Sequence, residues 1–68
     1  MENKVVAVYS EGLTGLEILG IEYGVIDRVI YRTYDGKIHK RIIYYNERPY
    51  FINNGTRIHF DECMRVLP

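Results

Sequence analysis

At 68 residues and 8.1 kDa the chain is one domain, residues 1–68, near the size at which a single core is only marginally sufficient. An apolar fraction of 47% excludes a disordered segment, and nine basic residues against nine acidic ones exclude a domain-wide basic field. Cys63 is the single cysteine, so an intramolecular disulfide is excluded. No apolar run reaches membrane-spanning length and Met1-Glu2-Asn3-Lys4 has no signal-peptide pattern, so the expected location is cytoplasmic and no membrane is expected as a partner.

Lys4 to Tyr9 reads as a valine-rich strand, and Ser10 to Gly15 as a turn. In Leu16 to Ile26, Leu19, Ile21, Tyr23 and Val25 alternate with Gly20, Glu22 and Gly24, which predicts a strand, whole or broken. The glycines at 12, 15, 20 and 24 oppose a helix, each costing about 1 kcal/mol relative to alanine inside one, and favour bulges or sharp bends.

Arg28 to Phe60 holds three successive turns. Asp35-Gly36 and Asn54-Gly55 are hairpin dipeptides that accept positive φ, and Asn46-Glu47-Arg48-Pro49 is a looser connection. Pairing Tyr34 with Lys37, Tyr45 with Tyr50 and Asn53 with Thr56 gives one consistent side-chain parity. One face then collects Val29, Tyr31, Thr33, Ile38, Lys40, Ile42, Tyr44, Phe51, Ile58 and Phe60, the expected core side. The other collects Arg28, Ile30, Arg32, Tyr34, Lys37, His39, Arg41, Ile43, Tyr45, Tyr50, Ile52, Arg57 and His59, with cations and aromatics and no carboxylate.

Asp61 offers an N-cap for a short helical turn through Cys63, after which Met64 to Leu67 returns as a strand. The predicted fold is all-β: a small, strongly bent antiparallel meander, or a small barrel with one short helical turn near the C-terminus. In outline that architecture resembles an SH3-like barrel, a likeness that carries no function.

The second face is the candidate site. Arginine neutralises phosphate and tyrosine stacks on bases, so Arg28, Arg32, Tyr34, His39, Arg41, Tyr45, Tyr50 and Arg57 in one sheet suit single-stranded nucleic acid or a nucleotide. The competing reading is an outer face that is simply solvated or covered. An alternative function uses the same face for protein association: Ile30, Ile43 and Ile52 form an apolar centre ringed by tyrosine and arginine, fitting an acidic protein partner or a second copy in a homodimer.

Other constellations are weaker. Gly12-Leu13-Thr14-Gly15 has the G-x-x-G spacing of KH loops but lacks their flanking helices, and a turn explains it better. His59, Asp61 and Cys63 share parity without a recognised zinc spacing, so neither metal nor cofactor is expected. Ser10, the sole serine, has no partner histidine, and Asp61-Glu62 is accounted for by capping. The chain reads as a non-catalytic binding module.

Overall fold

A computed structural model describes residues 14–60 together with Lys4 and Val5. The protein is all-β there. Its strands are β1 (Lys4–Val5), β2 (Leu16–Tyr23), β3 (Arg28–Thr33), β4 (Ile38–Ile42), β5 (Tyr44–Asn46), β6 (Arg48–Asn53) and β7 (Thr56–His59). They form two antiparallel sheets in chain order, β1-β2-β3-β4 and β5-β6-β7. The meander is thus as expected, but the two sheets do not close into a barrel among the described residues. The helical turn at Asp61–Cys63 and the strand at Met64–Leu67 lie outside them, as do residues 6–13 of the first predicted strand and turn.

The sheets face each other across one core. Leu16, Ile18 and Ile21 of β2, Val29 and Tyr31 of β3, Phe51 of β6 and Ile58 of β7 form a single buried cluster with Ile43, and half-buried Phe60 packs against it. In β2 the register with β3 shifts between Ile18 and Gly20, so the residue inserted there is Leu19. That bulge resets the alternation, which is why Ile18 and Ile21, three apart, both point inward. The strict alternation through Leu19, Tyr23 and Val25 predicted from the sequence is replaced, and Tyr23 and Val25 are exposed.

Tyr31 and Phe51 join the two layers, with ring centroids 4.8 Å apart. The buried Tyr31 hydroxyl donates to Asn53 Oδ1 at 2.9 Å, which satisfies a polar group that would otherwise be costly to bury. Burial raises the pKa of Tyr31, with nearby Arg41 opposing the shift. Phe51 also meets Phe60 at 5.5 Å, extending the aromatic contact toward the end of the described chain.

Two turns differ from expectation, and each shifts the pairing by one residue. At the first, Thr33 rather than Tyr34 closes the hairpin with Lys37: the Thr33 N–H donates to Lys37 O at 3.1 Å and the Gly36 N–H to Thr33 O at 2.9 Å. The loop is three residues, Tyr34-Asp35-Gly36, with Gly36 at φ 85°. A two-residue type I′ turn needs positive φ at Asp35 as well. Asp35 instead accepts hydrogen bonds from the Lys37 N–H at 3.1 Å and the Thr33 hydroxyl at 2.5 Å, an Asx-type arrangement that suits the longer loop. Those two bonds also hold its carboxyl below the usual range. Asn54-Gly55 does form the I′ turn, with φ of 53° and 82°, and its register is as predicted.

At the middle turn, Glu47 alone separates Asn46 from Arg48, with φ of 69°. Tyr44 therefore pairs with Tyr50, and Tyr45 with Pro49. Pro49 is tolerated in β6 because β7 ends opposite Tyr50, leaving Pro49 with a described neighbour only in β5.

The two shifts cancel for the outer pieces of the meander and not for the piece between them. Val29, Tyr31, Phe51 and Ile58 keep their shared inward face. Ile38, Lys40, Ile42 and Tyr44 turn outward, whereas His39 and Ile43 turn toward the core side. His39 stacks on Tyr31 at 5.0 Å with its Nε2 3.1 Å from the Thr33 hydroxyl. Ile43 is fully part of the core, and its N–H donates to Asp27 O at 3.1 Å where the chain passes from one sheet to the other.

Phe51→Ala is expected to cost about 3–5 kcal/mol, because it removes the ring on which both sheets meet, and urea unfolding should show a lost or much earlier transition. Glu47→Gly is expected to raise the unfolding midpoint, since it relieves a left-handed backbone worth about 1 kcal/mol that no β-carbon favours. A lower midpoint would show that Glu47 makes compensating contacts.

Candidate binding surface

In the first sheet the outer face follows from the registers. Arg28, Ile30 and Arg32 of β3 lie beside Ile42, Lys40 and Ile38 of β4 on one side, and beside Glu22, Gly20 and Glu17 of β2 on the other. Two carboxylates therefore stand among the cations. Arg32 Nη1 reaches Glu17 Oε1 at 2.9 Å, and Lys40 Nζ lies 3.8 Å from Glu22 Oε1. The expected cationic face without carboxylates is corrected here, because Leu16–Tyr23 pairs directly with β3 and brings its glutamates opposite the arginines. Arg32 and Glu17 remain well exposed, where such a pair is worth little in stability but does neutralise the local field.

In the second sheet the outer face is an aromatic ladder. Tyr44 stacks on Tyr50 at 5.3 Å, Tyr50 meets His59 at 5.4 Å, and the Arg57 guanidinium sits 4.8 Å from the centre of the Tyr50 ring. These neighbours reduce Tyr50 to 7% exposure although it faces away from the core. A ring covered in this way cannot also receive a base. Tyr44 at the end of the ladder stays exposed.

Where the sheets meet, Lys40, Arg41, Ile42, Tyr44 and Ile52 line a groove of about 280 Å³. Its walls are isoleucine and tyrosine and its charged groups are both cations. The Arg41 guanidinium is steadied at the rim by donating to Lys40 O at 2.8 Å. A smaller hollow of about 160 Å³ beside Gly15, Glu17, Arg32, Thr33, Tyr34 and Gly36 contains the Arg32–Glu17 pair and is electrically balanced.

The eight predicted site residues thus occupy several places. Tyr50 and Arg57 are brought together, and Arg28 and Arg32 share the outer face of the first sheet. Tyr34 is 80% exposed at the hairpin tip, beside Gly15, where an added Cβ would come within 2.8 Å of its ring. His39 is turned toward Tyr31, and Arg41 stands at the groove. Tyr45 lies on the side opposite Tyr44 and its hydroxyl donates to Asp27 Oδ2 at 3.1 Å. The apolar centre Ile30/Ile43/Ile52 does not exist as one patch, since Ile43 is buried between the sheets while Ile30 and Ile52 belong to different outer faces. Lys40, Ile42 and Tyr44 are the groove residues assigned to the core from the sequence; their signal was the three-residue loop at Gly36, which reverses their parity.

Among the described residues no group of three or more His, Cys, Asp or Glu is placed to hold a metal ion, and no helix is long and apolar enough to cross a membrane. No protein-family model, curated protein or solved structure matches the chain.

Tyr50→Ala is expected to destabilise by about 3 kcal/mol because it empties the middle of the ladder, whereas Arg32→Gln changes stability by less than about 1 kcal/mol. Urea denaturation of the two variants side by side checks the contrast, and equal losses would show that the outer faces are energetically alike.

Proposed function

We propose that the protein is a non-catalytic binding module that docks a protein partner bearing acidic side chains in the groove between its two sheets. The observation that carries this reading is the lining itself: Ile42, Ile52 and Tyr44 supply exposed apolar surface, and Lys40 and Arg41 supply the only charges. An apolar centre with aromatic and arginine neighbours is the usual anatomy of a protein interface. Lys40 lies 3.8 Å from the Glu22 carboxylate, whereas Arg41 has no carboxylate within ion-pair distance among the described residues, so an incoming carboxylate gains most at Arg41.

A second reading, single-stranded nucleic acid or a nucleotide, is favoured by one arrangement: Arg57, Tyr50 and Tyr44 run in a continuous stack, with Tyr44 itself lining the groove that holds Lys40 and Arg41. Phosphates would meet the cations and a base the open face of Tyr44.

Fluorescence anisotropy separates the two. Labelled peptides that combine valine with glutamate are expected to bind, lysine-for-glutamate counterparts to fail, and Ile52→Asp to weaken the acidic peptide by about tenfold or more, with an unchanged unfolding midpoint. Binding of a labelled oligothymidine, with a salt slope that falls by about 0.7 on Arg41→Ala, would establish the nucleic-acid reading instead. Absence of binding to every probe overturns both.

A further inference from the structure

The lining of the groove contains a geometric clue to how a partner binds. Lys40, Arg41 and Ile42 are consecutive residues of one strand, yet all three border the same cavity. Successive side chains of a strand point to opposite faces, so a cavity touched by three in a row lies along the strand's edge rather than on either face. That edge is open. Among the described residues β4 pairs only with β3, and β6 approaches it without joining the ladder. From Ile38 to Ile42 every side chain except that of His39 is exposed.

We infer that the partner segment is taken up as an added β-strand on the free edge of β4, and that its sequence carries two adjacent acidic residues flanked by apolar ones. This inference rests on the proposed protein-docking function and specifies its mode. Backbone pairing along an edge supplies affinity without regard to sequence, and side chains opposite one another supply selectivity. Opposite Ile42, Arg41, Lys40, His39 and Ile38, an antiparallel strand finds complements in the order apolar, acidic, acidic, any, apolar. The two carboxylates must be adjacent because Lys40 and Arg41 lie on opposite faces of β4.

The same charges argue against a second copy as the occupant. Antiparallel pairing of β4 with itself about Lys40 sets Lys40 against its own symmetry mate, so two ammonium groups would face each other across the new ladder. Cations on an edge strand are a common guard against such self-pairing, and here they select an acidic strand.

The test uses a fluorescein-labelled peptide, Ser-Val-Glu-Glu-Thr-Val-Ser, and two versions N-methylated at alternate residues. Residues i and i+2 of a strand present their N–H groups to one edge and the intervening residues to the other. Methylating the edge that meets β4 is expected to weaken binding by about tenfold or more, while methylating the opposite edge leaves it within about twofold. Arg41→Glu should weaken the parent peptide similarly and restore binding to the version with lysine at the first glutamate, the one opposite residue 41, and glutamate kept opposite Lys40. If both methylated peptides respond alike, strand addition is overturned while acidic-partner docking stands. If the parent peptide does not bind and no acidic peptide does, the docking function itself falls.

Discussion

The contact between Tyr31 and Phe51 is the constraint on which the rest of this structure depends. Each ring belongs to a different sheet, and neither sheet has enough apolar surface to be stable alone at this size. Tyr31 brings a hydroxyl into the interior, which Asn53 from the same strand as Phe51 accepts. The second sheet is therefore held to the first by a hydrophobic face and an oriented hydrogen bond together. The bond fixes how far β6 can slide along β3, because displacement would orphan a buried phenol.

From that anchor the outer surface follows by parity. A three-residue loop at Tyr34-Asp35-Gly36 turns Lys40 and Ile42 outward and Ile43 inward. Ile43 can enter the core because the chain leaves the first sheet at that point, with its N–H given to Asp27 O. The corner so formed is what opens the groove: β4 arrives with one edge that no described strand pairs, Tyr44 leaves on the outer face of the second sheet, and Ile52 of β6 forms the far wall. The candidate site is a product of the joint between two sheets, and neither sheet contains it alone.

Electrostatics narrows the same surface. A neutral chain with its glutamates early and its arginines in the middle can present one positive face only if the two segments are kept apart. Here they are adjacent strands, and the antiparallel register sets Glu17 against Arg32 and Glu22 against Arg28. The arginines of β3 thereby stand opposite carboxylates. At the corner Lys40, 3.8 Å from Glu22, and Arg41 border apolar side chains.

The strand-rich composition, the glycines that oppose a helix and the two hairpin dipeptides made the all-β meander legible from the residues alone, and the inward set Val29, Tyr31, Phe51 and Ile58 with it. Asn54-Gly55 even determined its own register, since asparagine and glycine accept the two positive φ values that a two-residue turn requires. Asp35-Gly36 looked equivalent and was not. The aspartate carboxylate captures Thr33 and Lys37, a choice between two local hydrogen-bonding solutions that depends on which neighbours the folded hairpin supplies. Because side-chain period in a strand is two, that single residue moved Lys40, Ile42 and Ile43 to the opposite side. The bulge at Leu19, the pairing of glutamates with arginines and the groove at the sheet junction were likewise decided only by tertiary structure, since each depends on which strand lies next to which rather than on any residue's own preference.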